Sequence, residues 1–243
     1  TTGSTLSPQL AQDLRKAGLF SVSVSLDHWR EEDHDRARGT KGAFREALRA
    51  IDIFKNLGSL HVGVSAVLSR EMIRHGEVDE FLQFLTGLEI HEAWLSEAKP
   101  SVEAFWDKSL VVTEEERKTL VDLQDRYNSQ GRITVNYLGH FEGREHFGCN
   151  AGHKMVYIDA FGEVSPCVFI PMTFGNVRDT SIQEIYADMR RYFPSAGSCF
   201  INGNYELLQR RRRSLPLGRT ESENLMSEIR FEPPSRFFKI YYG

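Results

Sequence analysis

Cysteine is scarce in this chain, with three in 243 residues, at positions 149, 167 and 199. So few, and an odd number, exclude a disulfide framework and favour a reducing, cytoplasmic setting. No two of them stand close together, which removes the paired C-x2-C knuckle that usually presents thiolates to zinc. No stretch approaches the roughly 18 apolar residues of a membrane span, and no signal peptide is present, so no membrane is expected as a partner. A net charge of -4 gives no reason to expect nucleic acid or an anionic surface either. The one basic run, Arg210, Arg211, Arg212 and Arg213, follows a predicted helix and reads as a solvated face. Methionine is missing at the start. The opening "TTGSTLSPQL" looks like the tail of a strand or loop running into a helix, so a preceding segment is expected.

What is there is ordinary for a soluble α/β protein: 40% hydrophobic and 26% charged residues, enough apolar material for a core. Ser7 and Pro8 have the form of an N-cap and first helical residue, and Gly18 that of a stop, which predicts a helix over about 8–17. "FSVSVSL" alternates Val22, Val24 and Leu26 with three serines and predicts a strand ending at Asp27. A charged loop, "DHWREEDHDRARGTKG", then leads to a helix over about 42–57. The pattern repeats with strands at 61–69, 91–98 and 132–139. The helices between carry Val78, Phe81, Leu82 and Leu85, and Leu120, Leu123 and Tyr127 behind a Thr113–Glu116 capping box. Strand alternating with helix implies a parallel sheet to about residue 140.

The character then changes. Residues 155–169 read as a hairpin turning at "AFGE", and Ser181 with Glu184 caps a helix bearing Ile182, Ile185, Tyr186 and Met189. This second, α+β module holds every cysteine. Seventeen residues separate Cys149 from Cys167 and 31 separate Cys167 from Cys199, so the three meet only through tertiary folding. Dispersed thiolates of this kind suit an iron–sulfur cluster, while the competing possibility is that they are small buried hydrophobes. No Ser-His-Asp or Cys-His nucleophile pair can be picked out. His28, His34, His140, His146 and His153 fall in polar loops, and His146 or His153 is the first non-cysteine candidate for a fourth ligand.

The pattern Cys149-x12-Gly162-x4-Cys167, with "YIDAFGEVSPC" inside it, resembles the opening of the SPASM/twitch auxiliary-cluster domains of radical S-adenosylmethionine (SAM) enzymes. "FGNVRDTSIQEIYADMR" and "FINGNYELL" after Cys199 are similar to the segments that follow there. Upstream, the strand ending in Ser-Leu-Asp and the loop "HD-x-x-RG-x-x-G-x-F" resemble the second half of a radical SAM barrel. The resemblance implies the C-terminal part of a partial (β/α)6 TIM-like barrel over 1–140, then a small α+β SPASM/twitch-like domain and C-terminal tail over 141–243. It implies Cys149, Cys167 and Cys199 as ligands of an auxiliary 4Fe-4S cluster, with the fourth iron site open to substrate or filled from elsewhere. It implies that Ser25 and Asp27 face SAM, and that Ser69 or Arg70 reaches its carboxylate or ribose. The family's C-x3-C-x2-C motif is absent from these residues. The expected parent cleaves SAM to a 5'-deoxyadenosyl radical and modifies a peptide or small-molecule substrate, with an electron-donor protein as a further partner. A non-catalytic binding or carrier protein on the same scaffold, or an α/β protein with a structural metal, stand as alternatives.

Overall fold

Valine alternating with serine makes β1 (Ser21–Ser25) two-faced, and the same division runs across the sheet in the computed structural model, which describes residues 1–101 and 107–242. The strands β1, β2 (His61–Leu68), β3 (Glu92–Glu97) and β4 (Thr134–Tyr137) lie parallel in that order. Ser23 stands opposite Gly63, Ser65 opposite Trp94, and Trp94 opposite Asn136. One face therefore consists of Val24, Val62, Val64, Ala66, Leu68, Ala93, Leu95, Val135 and Tyr137, all buried. Against it pack α3 (Ala43–Asn56) through Ala47, Ile51 and Phe54, α5 (Val78–Gly87) through Phe81, Leu82 and Leu85, and α6 (Glu114–Gln130) through Leu120 and Tyr127. Each such side chain contributes about 2 kcal/mol on leaving water, against about 1 kcal/mol for a helix cap. The core thus decides the fold and the caps decide where helices begin. The other face carries Ser23, Ser25, Ser65, Trp94, Ser96 and Asn136 and stays half-buried in all of them.

These residues belong to one of two compact units, Thr1–Ala98 with Val112–Leu138. Helix α1 (Pro8–Lys16) starts at Ser7, whose hydroxyl accepts the Leu10 N–H. At the edge of β1, Thr1 donates its amino group to the Ser23 carbonyl at 2.9 Å and accepts the Ser25 N–H at 2.8 Å, the pattern of a parallel neighbour. The charged stretch expected as loop contains a helix, α2 (Glu31–Arg38). Its only buried residue is His34, so no apolar stripe announces it. Acids in its first turn, Arg36 and Arg38 in its last, and a left-handed Gly39 at its end define it instead. The five-residue α4 (Arg70–Arg74) was equally invisible, being too short for a period.

The connection after β1 is clamped around Asp27. Its N–H donates to His34 Nδ1 at 3.1 Å, and its Oδ1 accepts from Arg38 at 2.9 Å and from the Val67 N–H of β2 at 2.9 Å. Asp35 accepts the N–H groups of Gly42 and Phe44 and so starts α3. The "HD-x-x-RG-x-x-G-x-F" motif is thus a set of hydrogen bonds fixing one turn.

The second unit comprises Lys99–Val111 and Gly139–Gly243. The short α7 (Leu138–Phe141) leads into it from β4. Its hairpin is shorter than expected: β5 (Tyr157–Ile158) and β6 (Val164–Ser165) pair over two residues each. Pro166 has no N–H to continue the ladder, so Cys167 lies past the strand. Gly162 takes φ 89° in the turn, where Asp159 accepts the Phe161 and Glu163 N–H groups. Beyond it, Val164 donates its N–H to the Gly175 carbonyl and accepts the Phe174 N–H, and α8 (Ile182–Met189) and α9 (Phe200–Gln209) close a core of Val164, Met172, Phe174, Ile185, Met189 and Leu208. Two further helices, α10 (Arg219–Met226) and α11 (Arg236–Tyr242), complete the unit. In the basic run, Arg210 and Arg213 are exposed and Arg211 pairs with Glu228.

Two outcomes follow for stability. Glu97, with its side chain 2% exposed, is held by Arg117 through two bonds of 3.2 Å. Removing one partner of so buried a pair strands the other, so Glu97→Ala is expected to lose about 3 kcal/mol in urea denaturation, and an unchanged midpoint would refute the pairing. His34 must be neutral to accept at Nδ1, and burial holds its pKa below the ordinary value, with Asp27 opposing. The unfolded chain then binds the proton first, so stability is full above a pH of about 6.5 and falls as pH drops below it. Melts at descending pH check this, and the slope should shrink in His34→Gln.

Candidate metal centre and cofactor edge

Each cysteine arrives by a different piece of local geometry. Gly148 has φ 71°, and a Cβ there would lie 2.2 Å from the Ala196 carbonyl oxygen. Glycine alone permits that approach, which lets Cys149 donate its N–H to the same oxygen at 2.8 Å. The pairing lays Ala196 and the residues after it alongside Cys149, and three residues on, Cys199 stands as the N-cap of α9. Cys167 opens a turn after β6, its carbonyl accepting the Ile170 N–H at 3.0 Å.

The three are free thiols, each half-buried. Burial pushes Cys149 up, Cys167 to about 11 and Cys199 to about 12, so as free thiols they are protonated and poor nucleophiles. Backbone N–H groups oppose that rise: those of Phe200 and Ala151 at Cys149, of Phe169 at Cys167, and of Asn202 at Cys199. Two of these donors belong to the first turn of α9, whose positive end favours anionic sulfur.

A single zinc ion with bonds of about 2.3 Å would need its sulfurs only about 3.8 Å apart. Among the described residues, no three of His, Cys, Asp and Glu are grouped so as to hold one ion. An iron–sulfur cluster places each thiolate on its own iron and so takes ligands spread more widely. A single ion therefore has no ready group of ligands here, whereas thiolates that each take a separate iron need no such close approach.

Neither candidate histidine joins the cysteines in such a group. His146 sits edge-on to His140, Phe141 and Phe147, and burial lowers its pKa. His153 packs on Phe238 and its carbonyl accepts the Tyr186 hydroxyl. Two charges that nothing in the sequence singled out bear on the protonation of the thiols. Lys99 acts on Cys167 and Cys199, and Glu142 on all three. Nothing local marks them, because one is a lone lysine after β3 and the other one acid in a mixed loop.

The residues expected to face SAM lie together at the C-terminal edge of β1 and β2, where parallel sheets place their ligands. Ser25 is half-buried. Asp27 spends its carboxylate on Arg38 and Val67, with Arg38 Nε at 2.7 Å from Oδ2. Ser69 caps α4 by accepting the Met72 N–H at 3.1 Å. Arg70 grips Glu116 with Nε at 2.9 and 2.8 Å from its two oxygens. Three of the four side chains thus hold the edge in shape.

Comparison with known proteins agrees with both units. Residues 1–85 match the radical SAM superfamily, and residues 149–205 match SPASM, an iron–sulfur cluster-binding domain. The AdoMet-dependent heme synthase of Methanosarcina barkeri is 24% identical over 76% of this chain and 58% of its own length. Mycofactocin maturase MftC of Mycolicibacterium smegmatis is 27% identical over 85% of this chain and 56% of its own. The chain therefore spans a little over half the length of these relatives. In fold it is similar to Streptococcus suis SuiB bound to precursor peptide SuiA, with a TM-score of 0.60 and 14% identity over 83% of this chain and 54% of that one. It is similar as well to anSMEcpe with bound AdoMet and Cp18Cys peptide, with a TM-score of 0.56 and 17% identity over 79% and 58%. The chain thus joins a parallel α/β unit that carries the radical SAM superfamily match to a cysteine-bearing unit that carries the match to SPASM, the iron–sulfur cluster-binding domain.

Proposed function

We propose that Cys149, Cys167 and Cys199 hold an auxiliary 4Fe-4S cluster, and that the chain serves radical SAM chemistry on a peptide substrate. The observation that carries the reading is that three half-buried free thiols from separate segments all fall within the SPASM match, with the Cys149–Ala196 backbone pair laying the segments of the first and the last alongside each other. Such a cluster supplies an electron-transfer or substrate-binding iron centre. The chain's own part is to bury the sulfurs, fix their spacing through the Cys149–Ala196 pair, and aim backbone donors at them. In the other unit, Ser25 is the side chain we assign to SAM contact, at an edge that Asp27, Ser69 and Arg70 keep in place. A peptide is favoured over a small molecule because two of the solved neighbours hold peptides, SuiB its precursor SuiA and anSMEcpe a Cp18Cys peptide.

The three thiolates of a C-x3-C-x2-C set are not among these 243 residues. Anaerobic reconstitution of the chain is therefore expected to give about four irons and four sulfides, the count the cluster type demands, with no cleavage of SAM under dithionite. A Cys149, Cys167 and Cys199 triple alanine variant should hold none, and equal iron in that variant would sink the assignment. Gly148→Ala touches no ligand, yet it should lower bound iron at least severalfold by displacing Cys149 from Ala196. Full iron content in that variant would show that the backbone pair does not organise the centre.

A further inference from the structure

A single backbone hydrogen bond between two loops gains little by itself, because water competes for both of its groups. The Cys149–Ala196 pair is an isolated bridge of that kind. Residues 231–238 lie across it. Phe231 packs on Phe193 and Phe200, with ring centroids 5.9 Å away in each case, and Phe200 is the residue after Cys199. A Cβ on Gly197 would stand 2.7 Å from the Pro233 carbonyl oxygen, and a Cβ on Gly148 would stand 2.9 Å from the Cβ of Ser235. The segment thus presses on the residue after Ala196 and on the residue before Cys149. At either point an added side chain would collide with it. Ser235 is fully buried, and its hydroxyl donates to the Phe147 carbonyl at 2.9 Å while accepting the Phe238 N–H at 3.4 Å. One side chain therefore starts α11 and ties it to the backbone two residues before Cys149. The Arg144 carbonyl accepts the Arg236 N–H at 2.9 Å, and the Arg144 guanidinium donates to Glu232 at 2.7 Å. Phe237 meets Phe147 edge-on at 5.0 Å. The SPASM match ends at residue 205, so all of this lies outside it.

We propose that residues 231–238 form a strap that positions Cys149 and Cys199 by clamping the Cys149–Ala196 bridge, with Ser235 as its latch. The strap supplies no ligand and acts only through the bridge, so Ser235 is a positioning residue. Its hold on the bridge follows from these contacts, while its effect on bound iron rests on the cluster assignment above. Releasing the latch frees the Cys149 N–H from Ala196 and lets the first cysteine move away from the segment that carries the last.

The test has two readouts on the full chain: hydrogen exchange at the Cys149 amide before iron is added, and iron release to excess chelator after reconstitution. The variants are Ser235→Ala, which removes the latch, and Gly197→Ala, whose methyl group would meet the Pro233 carbonyl from the other side. Ser222→Ala is the matched control, because Ser222 is also fully buried and its hydroxyl donates to the Leu217 carbonyl at 3.2 Å, in α10. Both strap variants should exchange the Cys149 amide about tenfold faster and release iron severalfold faster, with the control near the parent. Should Ser235→Ala fail to fold, Gly197→Ala decides. Parent-like exchange in the folded strap variants overturns the proposal, and so does equal acceleration in Ser222→Ala, which would mark general loosening. Faster exchange with unchanged iron release refutes positioning of the centre. A parent that binds no iron and sulfide overturns the cluster assignment, and the exchange readout still decides the strap.

Discussion

The cysteine-bearing unit depends on one backbone hydrogen bond, from the N–H of Cys149 to the carbonyl of Ala196. It is possible only because Gly148 has no Cβ and takes a left-handed φ. Without it, Cys149 would enter the unit at one end of the chain's path and Cys199 would cap α9 at another. With it, Cys149 lies alongside the segment that leads into α9, and Cys167 lies in the turn that follows Pro166 after β6. Packing of Phe174, Phe193 and Phe200 then keeps these segments from sliding, since aromatic cores tolerate little displacement.

The parallel sheet obeys a different constraint. Parallel sheets are usually covered on both faces, whereas here one face is closed by helices and the other presents serines, Trp94 and Asn136. Polar side chains on an inward row have a physical use only where water, a ligand or other polar groups can meet them. The C-terminal edge of the same strands is held by two ion pairs, Asp27 with Arg38 and Arg70 with Glu116, beside the half-buried Ser25. This division of labour explains why side chains expected to touch a ligand are found holding Arg38, Glu116 and nearby backbone N–H groups. Orientation of a ligand site requires as many groups to hold the backbone as to make contact.

Much of this was legible beforehand. Alternation in "FSVSVSL" and "HVGVSAVL" marked strands because a sheet buried on one face demands a period of two. The Thr113–Glu116 box marked a helix start because both of its reciprocal bonds form. Helix α2 was not legible, since its stability comes from charges and caps and not from an apolar stripe. The strand pairing of the hairpin was overestimated, because composition shows a turn more readily than it shows where a proline ends the ladder.

The sequence by itself determined the fold class, the segregation of the thiols into a second unit and the resemblance to radical SAM enzymes, because hydrophobic period, capping residues and motif order are properties of neighbours along the chain. Only the tertiary structure decided that Cys149 pairs with Ala196, three residues before Cys199, that Asp27 and Arg70 are spent on positioning, and that Lys99 is buried against Glu142. Electrostatic influence and burial act through space, and no spacing along the chain encodes the distance between residues that packing alone brings together.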